Sequence, residues 1–284
     1  MIPMDLSGVS GNESAVIEYI KGICGGDTDN LGSLIVKKPG SGKKIAVACP
    51  VDEGGLFVTD LSDGIRFSLI GKEEPSNLVN RTVEFANGIK GVICGKPDAK
   101  LSDLYIEADG EVSIGDIGRF SVPQIEGDGK IVGCSVERSL CTDAVLSVMD
   151  ILKDTGFDVT YMFTTMYRIG KKGLNAALFI QKPDYTVVID TVSGEKIKCG
   201  DGPVVKITDG SYTADPVLHE FAKEKGVKMT VCKEASVRSA NSFSYGAVTG
   251  YVSIPVEKCG GITKGLLSDS KKCAEFVAEL VKTI

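Results

Sequence analysis

The period of apolar and polar positions changes along the chain, and these changes divide it into elements. Near the amino terminus, apolar residues recur at helical spacing at Val16, Ile17, Ile20, Ile23 and Cys24. A capping-box sequence precedes them, with Ser10 as the candidate N-cap and Glu13 three residues later. The pattern predicts an amphipathic first helix that starts beside Ser10.

Two apolar runs after this helix predict strands over residues 31–37 and 44–48, joined by a hairpin turn at 39–42. From residue 56 to residue 131 the chain then shows short alternating pieces separated by turn residues. No helical period is convincing there. This pattern predicts a small all-β module.

From residue 133 onward, helical and strand-like patterns alternate. Helices are predicted over 142–152, 174–181, 216–225 and 271–283, and strands over 159–165, 186–189, 227–231 and 250–254. Such alternation is typical of the α/β class, with a mixed sheet covered by helices on both faces. We therefore predict an α/β domain of residues 1–56 and 132–284, with an inserted β-rich domain of residues 57–131.

The stretch 158–177 marks the predicted position of a site. A β-branched and aromatic strand ends there, a glycine-bracketed turn follows, and a helix begins. In open α/β sheets, sites lie where strand ends give way to helix starts, which places residues 166–172 at the lip of a pocket. The polar side chains of this lip are Tyr167, Arg168, Lys171 and Lys172, which can bind a ligand but cannot hold a cationic metal.

Composition narrows the class of protein. With 284 residues, 43% hydrophobic and 25% charged, the chain has the material for a sizeable core. Its net charge of −6 argues against a nucleic-acid partner, which needs clustered positive charge. No apolar run has the length of a membrane span, and the amino terminus lacks the pattern of a signal peptide.

The cysteines indicate the cellular compartment. There are nine, an odd number, and none is closer than seven positions to the next. This spacing fits neither a CxxC zinc ribbon nor a disulfide framework. We expect reduced thiols and a cytoplasmic protein.

Several stretches, taken in order, carry a resemblance to a known family. They are LSGVSGNESAV at 6–16, IAVACPVDEGGLFVTDLSDG at 45–64, FTTMYRIGKKGLNAA at 163–177, TVVIDT at 186–191 and GYVSIP at 250–255. Their order, spacing and glycine positions resemble metallopeptidase family forty-two, the tetrahedral or glutamyl aminopeptidases. The resemblance implies a zinc-aminopeptidase-like fold whose inserted domain serves oligomerisation. We therefore expect a homo-oligomer, from a dimer up to the tetrahedral dodecamer of the family.

The chemistry that the resemblance implies uses two zinc or cobalt ions to activate a bridging water, with a glutamate as general base. Four positions of that machinery carry residues that cannot perform its role. Pro50 and Gly260 stand at the two metal-binding histidines, Tyr167 at the general base, and Arg168 at the adjacent ligand glutamate. The resemblance therefore implies a member without resident metal and without a confident catalytic residue.

Other positions of the implied site retain an acid. Asp52 matches the aspartate that orients the first histidine, and Asp190 matches a ligand. The metal-bridging aspartate falls on Val136 or, in a register shifted by one, on Glu137. Without two dications, buried carboxylates would lack counter-charges, which is costly. We predict that Arg168 supplies this charge and lies within salt-bridge reach of Asp190 or Asp52.

Three functions follow as hypotheses. The leading one is a non-catalytic, aminopeptidase-like protein whose pocket binds a peptide or another anionic small molecule. Its binding residues would be Asp52, Arg168, Lys171 and Asp190. Lys172 and Lys258 add positive charge, which favours an anion.

The two alternatives are enzymes. One is a thiol-dependent hydrolase using Cys49 or Cys259, since these thiols and Cys134 stand beside lost ligand positions. Cysteine as a small buried apolar residue is the competing interpretation. The other is an active metal-dependent aminopeptidase with ligands from elsewhere, such as Glu137, Glu234 or Glu257. We expect His219 to be a solvated helical residue and not a ligand.

Overall fold

The computed structural model describes residues 2–208, 213–231 and 248–284. Its centre is an eight-stranded mixed sheet. In chain order its strands are β1 (Asp27–Thr28), β2 (Leu34–Lys38), β3 (Ser41–Pro50), β12 (Phe157–Thr164), β13 (Tyr185–Val192), β14 (Val204–Thr208), β15 (Lys228–Val231) and β16 (Val248–Pro255). Their order across the sheet is β1-β2-β12-β3-β13-β16-β14-β15.

Alternation along β3 shows how the sequence builds this sheet. Ile45, Val47 and Cys49 point to one face, whereas Ala46 and Ala48 point to the other. Over residues 45–49 both faces are buried, so this part of the strand is continuously apolar, as the apolar run predicts. The parallel strands β12, β3 and β13 lie side by side in the middle, and their carboxyl ends share one edge.

Helices cover both faces of the sheet, which confirms the predicted fold class. They are α1 (Ser14–Cys24), α2 (Val136–Leu152), α3 (Lys172–Gln181), α4 (Pro216–Glu224) and α5 (Leu267–Thr283). The apolar sides of α1, α2, α4 and α5 form one core with the large side chains of the sheet. On the opposite face, α3 packs through Leu174, Ala177 and Leu178 against the alanines of β3.

A second, antiparallel sheet forms the β-rich module. Its six strands are β4 (Gly55–Asp60), β5 (Arg66–Ile70), β6 (Thr82–Phe85), β7 (Lys90–Cys94), β8 (Tyr105–Ala108) and β9 (Ile117–Ser121), in the order β5-β4-β9-β6-β7-β8. Alternate residues of these strands form a separate core that includes Leu56, Val83 and Ile106. The domain limits at residues 56 and 132 stay a prediction.

A small four-stranded sheet lies between the two units. It contains β10 (Ile125–Gly127), β11 (Lys130–Gly133), β17 (Glu257–Cys259) and β18 (Ile262–Leu266). Because β11 pairs with β18, the exit of the module is fixed to a hairpin close to the carboxyl terminus. The turn of that hairpin, Gly260 and Gly261, thereby reaches the module side of the molecule.

Two local predictions were wrong. Residues 39–40 do join β2 to β3, but these strands do not form a hairpin, because β12 lies between them and pairs with both. The link crosses the start of β12, where a Cβ on Gly40 would lie 2.3 Å from the backbone of Phe157. The capping box also fails: α1 starts at Ser14 without a side-chain cap, because the Glu13 carboxylate accepts a hydrogen bond from a distant backbone N–H instead.

Other boundaries shift by a few residues. The helix predicted over 142–152 begins six residues earlier, at Val136, which brings Glu137 into its first turn. Val204–Thr208 forms β14, a strand that was not predicted from the sequence. In the part of the chain described here, no helix is both long and apolar enough to cross a membrane.

Candidate functional site

Two buried carboxylates shape the loop that follows β12. Oδ2 of Asp52, after the end of β3, accepts a hydrogen bond from the backbone N–H of Arg168 at 2.8 Å. Oε1 of Glu13 accepts one from the backbone N–H of Met166 at 2.7 Å, and Met166 has a φ of 52°. Together they hold the loop in a conformation that turns Tyr167 and Arg168 toward the sheet edge. Burial raises the pKa of both carboxyl groups, and the Arg168 charge only partly offsets it at Asp52.

Asp190 lies near the end of β13 and accepts hydrogen bonds from the residues around it. We call the following group of residues the deep centre: Asp190, Lys206, Tyr167, Lys171 and Tyr251. Oδ2 of Asp190 lies 3.0 Å from Nζ of Lys206 and accepts a hydrogen bond from the Tyr167 hydroxyl at 3.4 Å. The backbone N–H of Thr191 donates to Oδ1 at 2.6 Å. Burial disfavours the charged carboxylate, but Lys206, the backbone N–H of Thr191 and the charge of Lys171 hold the pKa of Asp190 below its ordinary value.

Aromatic rings line the rest of the deep centre. Nζ of Lys171 lies 5.0 Å from the ring centroid of Tyr167 and 5.7 Å from that of Tyr251. Burial, followed by the negative charge of Asp190, raises the pKa of Tyr167 well above its ordinary value. Tyr167 therefore keeps its proton at neutral pH, so it serves as a hydrogen-bond donor and not as a general base.

Glu137 lies in the first turn of α2 and pairs with two cations. We call the group of Glu137, Arg168 and Lys258 the cavity centre. Oε2 of Glu137 lies 2.8 Å from Nη2 of Arg168, and its Oε1 lies 2.8 Å from Nζ of Lys258. The Thr191 hydroxyl donates to Oε1 at 2.8 Å. Burial opposes ionisation, but the two cations lower the pKa of Glu137 well below its usual range and, in turn, Glu137 raises the pKa of Arg168.

The predicted partner of Arg168 was wrong. Its guanidinium pairs with Glu137, whereas Asp52 is bonded to its backbone and Asp190 is paired with Lys206. The two sequence positions considered for the bridging aspartate also separate. Val136 is buried in the main core, while Glu137 faces the site.

The described residues do not offer the donor set of a two-metal centre. Among them, no three His, Cys, Asp or Glu side chains are grouped so that they could hold a metal ion. Asp190 and Glu137 each already face a side-chain cation within 3.0 Å. Of the alternative ligands, Glu257 pairs with Lys264 outside the site, and Glu234 lies outside the described residues.

A cavity of about 220 Å³ opens beside the cavity centre. Its polar and charged lining comes from both units and includes Lys72, Glu73, Asn77, Arg81, Glu137, Arg168, Lys258 and Thr263. Of the predicted binding residues, Arg168 faces this cavity, whereas Asp52, Lys171 and Asp190 stand outside its lining. Lys258, which the sequence suggested only as added positive charge, lines the cavity and contacts Glu137.

The three cysteines near former ligand positions have different environments. Cys49 is fully buried in the main core, and burial raises its pKa far above the ordinary range. Cys134 lines the cavity with its Sγ 3.5 Å from Arg81, yet burial still raises its pKa. Cys259 is exposed at the cavity rim. Cys49 and Cys134 therefore lack the depressed pKa that marks a nucleophilic thiol.

His219 lies on α4 with its side chain 33% exposed and Nδ1 3.8 Å from Glu220, away from the site, as expected. Lys206 was missed by the sequence analysis. A single lysine within the apolar run VVKIT of β14 was its signal, because a lysine buried to 3% exposure needs an anionic partner.

Comparison with known proteins places this geometry in context. A model of the M42 glutamyl aminopeptidase family matches residues 32–262. A putative aminopeptidase of Acetivibrio thermocellus is 30% identical over 314 aligned residues, which cover 96% of this chain and 94% of that protein. The lysyl aminopeptidase of Pyrococcus furiosus is 25% identical over 79% of this chain and 76% of its own length.

Solved structures share the fold over nearly the whole chain. An aminopeptidase from the archaeon Desulfurococcus kamchatkensis has a TM-score of 0.87 at 21% identity, covering 99% of this chain and 95% of that one. The TET1 peptidase of Pyrococcus horikoshii, described as assembling into a tetrahedron or a large octahedral shell, has a TM-score of 0.84 at 21% identity over 98% and 96% of the two chains.

Proposed function

The chain belongs to the M42 glutamyl aminopeptidase family, and we propose that it keeps the fold of that family without two-metal peptidase activity. In the metal-binding members of the family that the sequence resembles, two dications would neutralise the carboxylates of the site. Here the same neutralisation comes from side chains of the protein. In the described part of the site, Asp190 and Glu137 each have a cationic partner from the protein itself, so neutralising them does not need a metal ion.

One observation carries the proposal: cationic side chains already contact the acidic groups. Arg168, at the position of a ligand glutamate, lies 2.8 Å from Glu137, and Lys206 lies 3.0 Å from Asp190. A dication at either carboxylate would have to displace these cations or lie within a few ångströms of them. Both alternatives are costly in a buried site, where charge repulsion is weakly screened.

The loss of the base supports the same conclusion. Tyr167 holds its proton because burial and Asp190 raise its pKa, so it cannot accept a proton from water at neutral pH. Arg168 thus stands at a position that the resemblance assigns to metal binding, and Tyr167 stands at the position that it assigns to proton transfer. We propose that the protein binds and does not hydrolyse.

We propose that the ligand of the remaining cavity is a peptide or another anionic small molecule. Arg168 and Lys258 present positive charge to this space beside Glu137. Asp52 and Asp190, which lie behind it, would hold the Arg168 loop and the deep centre in place, and Lys171 would support the latter. Nucleic acid and membrane are not proposed as partners.

Assembly and location complete the proposal. The Pyrococcus horikoshii relative assembles into closed shells, and we propose that this chain forms a homo-oligomer of dimer size or larger. Light scattering coupled to size exclusion tests this, and a clean monomer would contradict it. Eight cysteines of the described residues are free thiols, which suits the reducing cytoplasm that we propose as its location.

The activity proposal is tested by metal analysis and a substrate panel. The purified protein is incubated with excess Zn²⁺ or Co²⁺, desalted, and assayed on chromogenic substrates with acidic, basic and apolar amino-terminal residues. The lysyl aminopeptidase of Pyrococcus furiosus, treated identically, is the positive control. We expect substoichiometric metal and no turnover, whereas two ions per chain together with turnover would overturn the proposal.

A further inference from the structure

Arg81, just before β6, is a buried cation at the seam between the β-rich module and the α/β unit. Only 8% of its side chain is exposed. Its guanidinium carbon lies 4.0 Å from the ring centroid of Phe120, and Nη2 donates to the carbonyl of Gly261 at 3.0 Å. These contacts fix the guanidinium at the wall of the cavity.

Gly261 shows how closely this wall is built around Arg81. Its φ is +76°, and a Cβ at this position would lie 2.6 Å from Nη1 of Arg81. Glycine alone combines this backbone conformation with so close an approach. The hairpin turn therefore brings its backbone against the guanidinium without leaving room for any side chain.

The hydrogen-bonding capacity of Arg81 is only partly used. Among the described residues, Nε and Nη1 have no hydrogen-bond partner. The nearest carboxylate oxygen, Oε2 of Glu73, is 3.7 Å from Nη1, which is beyond hydrogen-bond distance. A guanidinium keeps its charge when buried, so unsatisfied N–H groups leave a strong demand for an oxyanion.

The cavity beside Arg81 has the size and charge for such a group. It holds about 220 Å³, and its charged lining comprises four basic residues and two acidic ones, namely Lys72, Arg81, Arg168, Lys258, Glu73 and Glu137. Glu137 already contacts two of the cations. Glu73, with 26% of its side chain exposed, is the one acidic group here that a ligand could displace toward solvent.

We propose that the module side of this cavity is an oxyanion site, in which Arg81 and Lys72 bind the carboxylate or phosphate group of a small molecule. Glu73 covers Nη1 in the free protein and moves aside when the anion binds. The site rests on the proposed function, in which this cavity is a binding pocket, and assigns its anchoring group to the inserted module. The chemistry shared by carboxylate and phosphate is bidentate acceptance from a guanidinium.

Titration calorimetry on the full chain at low ionic strength tests the site, with inorganic phosphate in one arm and succinate in the other to distinguish the two anions. We expect saturable binding in at least one arm. Arg81→Met should weaken it about tenfold or more, since a charge-assisted hydrogen bond is lost. Arg81→Lys should retain part of it, and Glu73→Gln should tighten it by removing the competing carboxylate.

Matched controls separate the site from general charge effects. Arg66→Met removes another module arginine, which also stacks on an aromatic ring but lies outside the cavity lining, and should leave binding unchanged. If circular dichroism shows that Arg81→Met is unfolded, Lys72→Met is tested in its place. Lys72 is exposed, and its replacement should weaken binding several-fold.

Two results would overturn the site. The first is absence of saturable binding of either anion to the wild type and to Glu73→Gln. The second is binding that persists unweakened in Arg81→Met, or in Lys72→Met where that variant is the one tested. If Arg168→Met abolishes that binding, the pocket of the proposed function stands while the Arg81 site fails. Metal content and turnover, measured separately, decide the fate of the non-peptidase proposal.

Discussion

The deep centre and the cavity centre solve the same electrostatic problem in different surroundings. In the deep centre, Lys206 is 4% exposed and faces Asp190 among aromatic rings. In the cavity centre, Arg168 is 29% exposed, and Glu137 has a second cation in Lys258. We infer from this difference that the Lys206–Asp190 pair contributes more to stability than the Arg168–Glu137 pair, because it is more deeply buried and Glu137 has a second cation.

Lys206→Met should have the largest effect, because it leaves Asp190 buried without the cation that contacts it at 3.0 Å. We expect a loss of about 3–5 kcal/mol in the free energy of unfolding. Urea denaturation followed by circular dichroism measures it. The double variant Lys206→Met/Asp190→Asn removes both charges and should recover much of the loss. A single variant as stable as the wild type would show that the deep centre is not a pair in the folded protein.

Arg168→Met should cost less, about 1.5–3 kcal/mol by the same measurement, since the hydrogen bond to a charged group is lost. Glu137 keeps Lys258 and the Thr191 hydroxyl as partners, and the site is more exposed to water. Lys258→Met, which removes the more exposed partner, is the matched control and should cost less again. A larger loss for Arg168→Met than for Lys206→Met would reverse the comparison between the two centres.

Stability at acid pH should distinguish the centres from the carboxylates behind them. The folded-state pKa values of Glu137 and Asp190 are lowered, so their stabilisation is complete above the unfolded-state pKa and is lost as the pH falls through the folded value. Asp52 and Glu13 have raised pKa values and act in the opposite direction. We expect the wild type to lose about 1–2 kcal/mol more between pH 5 and pH 3 than Glu137→Gln does.

Urea midpoints at pH 7, 5, 4 and 3 provide this comparison. Glu137→Gln should start less stable at pH 7 and approach the wild type as the pH falls. Parallel pH profiles for the two proteins would mean that Glu137 is not ionised against Arg168 and Lys258 in the folded state.

Thiol labelling is the smallest predicted effect and compares Cys259 at the cavity rim with the less exposed thiols of Cys134 and Cys49. Cys259 is exposed, whereas burial raises the pKa of Cys134 and of Cys49 and reduces their thiolate fraction. Iodoacetamide followed by peptide mass spectrometry should modify Cys259 before the other two, without loss of fold. Fastest modification at Cys49, together with loss of an activity, would support the thiol-hydrolase alternative.

The sequence predicted most of the α/β unit because its signals are local. Continuous apolar runs identified β12 and β13, and amphipathic spacing identified α5. The supposed hairpin at 39–42 failed for a non-local reason, since β12, over a hundred residues away, lies between the two strands. The capping-box pattern failed similarly, because Glu13 is used by the loop after β12.

The candidate site was predictable by position but not by pairing. Sequence order placed Asp52, Arg168 and Asp190 at one sheet edge, where the parallel register of β3, β12 and β13 brings them. The pairing of Arg168 depends on two contacts that sequence order does not reveal. The helix register of α2 turns Glu137 toward Arg168, and Lys206 already pairs with Asp190. Arg81 had no sequence signal at all, because its neighbours in the fold come from β9, from the segment after β11 and from the turn before β18.

We propose above all that cations of the protein replace the metal pair of the family beside Asp190 and Glu137. Anomalous diffraction at the zinc edge, from crystals grown with excess Zn²⁺, tests it most directly. We expect no anomalous peak beside Asp190 or Glu137, with Lys206 and Arg168 still paired to them. Two bridged zinc peaks at these carboxylates, with both cations turned away, would contradict it.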